Sequence, residues 1–150
     1  MRAVIQRVDQ ASVAVDGRTV GAIAKGLVVL LGVESGDADS DLQFIKRKIL
    51  NLRVFDDGEG RMNLSVREVT GAILVVSQFT VHGDARHGNR PDYTRAAPAE
   101  QARAAYERLV SELRQEGAQV ASGVFQAMMK VTLTNDGPVT IIVDSNKNFY

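Results

Sequence analysis

The sequence predicts an α+β fold in a single domain with two main helices. Two segments, near residues 40–53 and 98–116, have apolar residues at helical spacing, and most other apolar segments are short and typical of strands. The strands are grouped rather than strictly alternating with helices, which favours α+β over α/β. The length of 150 residues is that of one domain, so we expect residues 1–150 to fold together.

The composition is typical of a soluble protein. Hydrophobic residues make up 45 % of the chain and charged residues 24 %, and there is no cysteine, which excludes disulfides, thiolate metal sites and a cysteine nucleophile. The amino-terminal residues carry charge inside the first apolar run, unlike a signal peptide, and the longest apolar run, residues 27–31, is much shorter than the ~20 residues of a membrane helix. We therefore expect a cytoplasmic protein that does not enter a membrane.

The charges of the chain balance. There are 18 basic and 18 acidic residues, which gives a formal net charge of zero. Proteins that hold nucleic acid mainly by neutralising phosphates are usually basic overall. The balance argues against strong non-specific binding of nucleic acid and leaves a local basic patch open.

The first half of the chain predicts several short strands. Residues 2–9 and 11–15 form two of them, and Asp16-Gly17 makes a two-residue hairpin turn from which residues 19–23 return. Residues 27–33 are apolar at consecutive positions. This strand is therefore predicted to be buried on both faces and central in a sheet.

The first predicted helix begins near Ser40. Ser40 as N-cap and Gln43 three residues later fit a capping box. The residues predicted to face the core are Leu42, Ile45, Ile49 and Leu52. A cluster of basic residues predicts a solvated face, with a phosphate-contacting surface as the alternative; it consists of Lys46, Arg47, Lys48 and Arg53.

The second predicted helix lies between Pro98, which suits a first turn, and Gly117, a natural stop. Its apolar stripe predicts core packing and consists of Ala102, Ala105, Tyr106, Leu109, Val110 and Leu113. Residues 127–135 alternate as a strand, residues 135–138 predict a turn, and residues 139–143 form another strand. We expect residues 146–150 to be a frayed tail.

The segment from residue 72 to residue 81 is predicted to be a buried strand that turns polar at Ser77 and Thr80 and leads into a long loop ending at Arg95. A nucleophile at either position needs a base, and His82 is a candidate because residues two apart on a strand point the same way. Asp84 is placed to orient that histidine. The alternative is that both hydroxyls satisfy backbone groups at the strand end.

No metal or cofactor is expected. Two histidines and loosely spaced acids lack the HExxH pattern, neither phosphate-loop pattern is present, and the acidic turn at residues 56–59 lacks the spacing of a calcium loop. Gly137-Pro138 reads as a plain turn by frequency. Its sharper interpretation is that glycine lets bare backbone approach a ligand and proline fixes where its carbonyl points.

Two motifs give the chain a resemblance to a known family. Ser77-Gln78-Phe79-Thr80 and Asn135-Asp136-Gly137-Pro138-Val139-Thr140, at this separation, resemble the D-aminoacyl-tRNA deacylases (D-tyrosyl-tRNA deacylases) of the bacterial and eukaryotic type. The resemblance covers nearly the whole chain and includes residues 1–8, 26–33 and 48–55, Arg90-Pro91, and Phe125-x-Ala127-x-Met129. It implies a three-layer fold of mostly antiparallel, barrel-like sheet.

The resemblance also implies a function. Such proteins are cytoplasmic homodimers that hydrolyse the ester between a D-amino acid and the terminal adenosine of tRNA, and they remove glycine from tRNA(Ala). Hydrolysis is assisted by the 2′-OH of that adenosine. The active site lies at the dimer interface, where a cis Gly137-Pro138 peptide of the partner rejects L-amino acids.

The resemblance assigns roles to particular residues. Backbone amides near Phe79 and Thr80 would hold the substrate carbonyl, with Thr80 positioning the substrate rather than attacking it. The residues implied to bind substrate are Ser77, Gln78, Phe79, Thr80, Ala102, Phe125, Met129, Gly137 and Pro138.

The chain departs from the family pattern at a few positions. Val81-His82-Gly83-Asp84 stands where Leu-Tyr-Ala-Asp is usual, Gln126 replaces a frequent glycine and Tyr93 a phenylalanine. His82 is expected to affect pH dependence or contacts with the tRNA end rather than to act in catalysis. Two other hypotheses remain open at this point: a non-catalytic module that binds the tRNA acceptor end, and a serine or threonine esterase that uses His82.

Overall fold

The computed structural model describes residues 1–148 and contains two α-helices, as predicted, within a mostly β structure. In chain order the elements are β1 Arg2–Val15, β2 Arg18–Ile23, β3 Gly26–Gly32, α1 Asp39–Asn51, β4 Phe55–Asp56, β5 Met62–Leu64, β6 Ala72–Ser77, a 3-10 helix Phe79–His82, α2 Ala99–Gln115, β7 Gln119–Ser122 and β8 Lys130–Asp144. The α+β prediction is confirmed. Within the described residues neither helix is long and apolar enough to cross a membrane.

Strand β1 organises the main sheet. β8 pairs with it antiparallel along nearly its whole length, while β3 and then β2 pair with it antiparallel along the other edge. The sheet continues from β3 to β6 and from β6 to β7 in parallel pairs. A Cβ added to Gly21 of β2 would lie 2.8 Å from the Ser122 carbonyl oxygen of β7, so the sheet curls into a nearly closed barrel.

Strands β3 and β6 separate two cores. Alternate residues of each strand face opposite sides, so that Leu27, Val29 and Leu31 pack toward the helices while Val28 packs into the barrel. β3 is thus buried on both faces and central, as predicted. The helices, the central sheet and the curled strands β2, β1 and β8 form the predicted three layers.

Two long strands replace predicted pairs of short strands. Residues 2–15 form a single strand, and so do residues 130–144, with Asn135–Pro138 inside β8 rather than in a turn. Between the pairs Gln6↔Thr140 and Val8↔Asn135, two steps along β1 face five along β8, so the extra residues bulge out of the ladder. The local turn signal is overridden because β1 pairs with β8 on both sides of the bulge.

The helix ends differ in detail from the prediction. α1 begins one residue before Ser40, and the Asp41 carboxylate accepts a hydrogen bond of 2.8 Å from the Ala38 N–H, so the predicted Ser40–Gln43 capping box is wrong. Pro98 is the N-cap of α2 rather than part of its first turn. Gly117, at φ +84°, follows the end of α2 as predicted.

The predicted tail lies partly outside the described residues. The backbone N–H of Asn146 and the side-chain amide of Asn148 donate hydrogen bonds to the Asp144 carboxylate, at 2.8 Å and 3.2 Å. Residues 149–150 are outside the described part of the chain, so for them the fraying stays a prediction.

Candidate active site

The central polar segment is a turn rather than the end of a strand. β6 stops at Ser77, and Phe79–His82 form a 3-10 helix, so the predicted strand to residue 81 is too long. The Gln78 N–H still donates to the Leu31 carbonyl (2.7 Å), which continues the pairing of this segment with β3. We call residues Ser77–Thr80 the polar turn.

The polar turn lies where three parallel strands end. Leu31 of β3 pairs with Ser77, and Ser122 of β7 pairs with Val75, so β3, β6 and β7 all stop at the same edge. The carboxyl ends of parallel strands are a common place for ligands. Close packing holds the following turn against β3, since a Cβ on Gly32 would lie 2.4 Å from the Val81 side chain.

The backbone amides of the polar turn are suited to hold a carbonyl oxygen. Phe79 and Thr80 are exposed and form the start of the 3-10 helix. The first N–H groups of a helix have no acceptor within it. Gln78 donates a side-chain hydrogen bond to the Thr80 hydroxyl, which orients that hydroxyl. Fixed N–H donors of this kind stabilise charge that develops on a substrate oxygen.

Exposed aromatic rings lie beside the polar turn. The Phe79 ring is 54 % exposed and meets Tyr93 edge-on, with 5.2 Å between ring centroids. The loop that carries Tyr93 is closed by reciprocal backbone hydrogen bonds of 2.8 Å between Asp84 and Asp92. The loop therefore holds an apolar surface next to the candidate carbonyl site.

Phe125 reaches the same edge of the sheet from β7. Its ring lies 5.9 Å from Tyr106, whose hydroxyl donates to the Val75 carbonyl of β6 (2.9 Å). The Arg103 guanidinium lies 4.7 Å from the Phe125 ring centroid. The structure thus brings Phe125 to the strand ends where the polar turn begins.

Met129 and Ala102 are half-buried, as Phe125 is. Met129 packs against the core inside the barrel, and its sulfur would lie 2.6 Å from a Cβ on Gly123, two residues before Phe125. Ala102, near the start of α2, packs against the core between the helices and the sheet, as Phe125 does.

Gly137-Pro138 lies far from the polar turn in the same chain. Across the sheet, Ser77 of β6 pairs with Leu31 of β3, Leu31 pairs with Ala3 of β1, and Ala3 pairs with Val143 of β8. Gly137 lies in the bulge beside Arg7, four residues or about 13 Å along β1 from Ala3, and three strand spacings, about 14 Å, separate β8 from β6. One chain therefore does not bring its two family motifs together.

Gly137-Pro138 is a cis peptide, and both residues are exposed. It is supported from behind by Arg7, whose Nε lies 2.9 Å from the Asp136 carboxylate and whose Nη1 donates to the Val54 carbonyl (2.7 Å). Sequence reasoning did not single out Arg7, although it follows Ala3 and Ile5 at the period of two that marks the buried face of β1.

The structure does not support a serine or threonine nucleophile with His82 as base. The Thr80 hydroxyl is bonded to Gln78, and the buried His82 ring packs against Gly32 rather than bonding to that hydroxyl. Because residues 79–82 are helical, the expectation that Thr80 and His82 point the same way as on a strand is wrong. Asp84 is paired with Arg86, which holds the pKa of that carboxyl well below its usual value.

The basic face of α1 is mostly committed to other contacts. Lys46 lies 2.9 Å from the Glu112 carboxylate of α2, and Arg53 donates to the Asn63 carbonyl (2.7 Å). Arg47 and Lys48 lie over the Phe44 ring at 5.7 Å and 5.6 Å. These contacts favour the predicted solvated face over a phosphate-contacting surface.

Comparisons with known proteins agree with the motifs. A family model described as "D-Tyr-tRNA(Tyr) deacylase" matches residues 4–144. Curated relatives named "D-aminoacyl-tRNA deacylase" are 54 % identical in Desulfitobacterium hafniense and 52 % identical in Thermotoga petrophila, each over 99 % of this chain and 100 % of the relative.

Two solved structures share the fold. One, titled "c-Myc DNA Unwinding Element Binding Protein", is 44 % identical with a TM-score of 0.91 over 96 % of this chain and 98 % of that one. The other, titled "Structural Analysis of a probable eukaryotic D-amino acid tRNA deacylase", is 20 % identical with a TM-score of 0.79 over 95 % of this chain and 97 % of that one, and it supports the fold alone. The resemblance predicted from the sequence is confirmed, and the chain belongs to the D-Tyr-tRNA(Tyr) deacylase family.

Proposed function

We propose that the protein hydrolyses the ester that joins a D-amino acid to the terminal adenosine of tRNA, in the cytoplasm, and that it also releases glycine from tRNA(Ala). The observation that carries this proposal is the exposed polar turn at the ends of three parallel strands, in a chain of this family. No metal or cofactor is needed for this chemistry as we propose it.

The polar turn acts on the ester carbonyl in this proposal. The backbone N–H groups of Phe79 and Thr80 donate to the carbonyl oxygen and stabilise the negative charge that develops on it. Ser77 and Gln78 line the same turn, and Thr80 positions the substrate. The 2′-OH of the terminal ribose assists the attack on the ester, which is consistent with the lack of a side-chain base bonded to Thr80.

The substrate amino acid lies between two chains of a homodimer in this proposal. Gly137-Pro138 is exposed and sits on the order of 20 Å from the polar turn of its own chain. A second copy related by a twofold axis presents the same segment to the first copy, and the first returns it. Each pocket then combines one polar turn with the partner's Gly137-Pro138.

Rejection of L-amino acids follows from a stiff wall. In the proposed pocket an L side chain is directed into the partner's Gly137-Pro138 backbone, while a D side chain points away. Each tenfold of discrimination needs about 1.4 kcal/mol. A modest steric overlap between an L side chain and this backbone is therefore enough to lower its rate by several factors of ten. Glycine has no side chain to clash, and this explains why glycyl-tRNA(Ala) is expected to be a second substrate.

The remaining pocket residues shape its apolar side. Phe125 is the residue best placed for contact with the substrate, because it leaves β7 at the same edge as the polar turn. Met129 and Ala102 complete this apolar side of the pocket as further substrate-binding residues in the proposal.

The test is a comparison of four substrates. D-aminoacyl-tRNA and glycyl-tRNA(Ala) should be deacylated, L-aminoacyl-tRNA should be spared, and D-aminoacyl-tRNA with a 2′-deoxy terminal adenosine should react far more slowly. Full activity on the 2′-deoxy substrate would contradict the role of the ribose. Binding of all four without cleavage would show a tRNA-end binding module instead of an enzyme.

A further inference from the structure

A cavity of about 440 Å³ opens next to the end of the 3-10 helix, beyond the polar turn. Its lining is rich in charged and polar groups, and we call it the arginine cavity; it includes Arg2, His82, Asp84, Arg86, Arg95 and Asn148. Thr80 and His82 are two residues apart on the 3-10 helix, about 4 Å along its axis. The cavity therefore begins within one turn of the proposed ester site.

The arginines of the cavity are paired, and in each pair the arginine is the more exposed partner. Side-chain exposure is 76 % for Arg86 and 24 % for Asp84, 40 % for Arg95 and 12 % for Glu34, and 10 % for Arg2 and 0 % for Asp144. The guanidinium groups are thus more accessible than their carboxylates, although Asp84 also lines the cavity. Although the whole chain is neutral, the exposed guanidinium groups of Arg86 and Arg95 give the cavity positive charge that a ligand can reach.

His82 adds a buried polar group to this lining. Its side chain is only 2 % exposed, and its ring packs against the backbone of Gly32, with which it interacts. Burial lowers the pKa of His82, so the ring is neutral near pH 7 and offers one donor and one acceptor.

We propose that the arginine cavity binds a phosphodiester group at the 3′ end of the RNA substrate, the one that precedes the terminal adenosine. A guanidinium group held by a carboxylate behind it still has donors to give, and arginine matches the geometry of phosphate oxygens. The inference rests on the proposed function, since it requires the adenosine ester to sit at the polar turn.

The test compares two small substrates that differ by one phosphate. One is the D-aminoacyl ester of adenosine, which has no phosphodiester, and the other is the D-aminoacyl ester of cytidylyl-adenosine, which has one. The variants Arg86→Gln and Arg95→Gln remove charge from the cavity. Arg61→Gln is the matched control, because Arg61 is an exposed arginine paired with Glu59 outside the cavity.

The wild type should have a lower KM for the dinucleotide ester than for the nucleoside ester. Each cavity variant should raise the dinucleotide KM about tenfold, with a much smaller change for the nucleoside ester, and Arg61→Gln should change neither. The dinucleotide KM should also rise with salt, with a smaller slope in the variants. Arg86 is highly exposed, so its variant reports on binding even if Arg95→Gln folds poorly.

Two results would overturn the inference. If the cavity variants raised the KM equally for both esters, the arginines would act through the fold rather than on a phosphate. Equal KM values of the wild type for both esters would mean that the phosphate is not bound. If the wild type left D-aminoacyl-tRNA itself intact, the proposed function would fail and the inference with it, whereas cleavage of both small esters with unaffected variants would reject the inference alone.

Discussion

The two family motifs of this chain are built in opposite ways. The polar turn Ser77–Thr80 is held in place by its own chain: β3, β6 and β7 end beside it, and Gly32 allows the following residues to pack close. Gly137-Pro138 bulges from the paired strands as an exposed projection with Arg7 behind it. In the proposed function the first motif is therefore part of a pocket, while the second is a projection that completes the pocket of a second copy.

The largest effect is expected from deletion of one amide in the polar turn. Phe79→Pro removes the Phe79 N–H, and the preceding Gln78, at φ −144° and ψ 79°, lies outside the α region that a following proline disfavours. Loss of one oxyanion donor typically lowers kcat by about 10²- to 10³-fold. Single-turnover deacylation of D-aminoacyl-tRNA measures this.

Phe79→Ala is the matched control for that change. It removes the ring and keeps the amide, so it should cost much less activity than Phe79→Pro. If both variants lost the same activity, the ring rather than the amide would be the important group at this position.

A somewhat smaller effect is expected at the projection. Gly137 has φ +114°, and an added Cβ would lie 2.9 Å from the Val139 side chain and 3.0 Å from Arg7. Gly137→Ala should therefore displace the segment and lower deacylation about 100-fold, with weaker discrimination against L-aminoacyl-tRNA. The ratio of D to L deacylation rates measures this.

Gly58→Ala serves as the control for Gly137→Ala. A Cβ at Gly58 meets no atom within 4 Å, so this variant should keep both rate and discrimination. If Gly137→Ala folded normally and still discriminated between D- and L-aminoacyl-tRNA as the wild type does, the projection would have no part in chiral selection.

The support behind the projection should affect stability more than the chemical step. Arg7→Met removes the donor to the Val54 carbonyl and the ion pair with Asp136, and it leaves a buried carbonyl unpaired. The free energy of unfolding should fall by about 1–3 kcal/mol. Urea denaturation measures this, and Arg61→Met, which changes an exposed arginine elsewhere, should have little effect.

The smallest effect concerns His82 at the end of the 3-10 helix. Burial lowers the pKa of His82 in the folded protein below its usual value of 6.5, so the unfolded chain binds the proton more tightly. Stability is therefore fully present above pH 6.5 and is lost as the pH falls below it, by at most about 1.4 kcal/mol per pH unit. His82→Gln should flatten the dependence of the free energy of unfolding on pH between pH 6.5 and 5, as measured by urea denaturation.

Much of the fold follows from sequence patterns that depend on burial. The consecutive apolar residues of β3 and the stripe of α2 at Tyr106, Leu109 and Leu113 predict their surroundings correctly, because hydrophobic periodicity reports directly on which faces are covered. The short strand β7 was missed. It has too few residues to show a period.

Features decided by long-range pairing were not predictable locally. Asn135–Pro138 carries a strong turn signal, yet β1 pairs with β8 on both sides of it and keeps the chain in one strand. At Thr80 the sequence continues a plausible strand, but β3 and β7 end beside it and the chain turns into a 3-10 helix. The motif residues were recognised, while their separation within one chain required the structure.

The most direct test of the account asks whether the two motifs act together across two chains. Phe79→Pro and Gly137→Ala subunits, each nearly inactive alone, are co-expressed in equal amounts and assayed on D-aminoacyl-tRNA. In a mixed dimer one pocket combines an intact polar turn with an intact projection, so activity should recover to roughly a quarter of the wild-type level. Mixed dimers with no recovery would contradict the account, because each pocket would then be formed within a single chain.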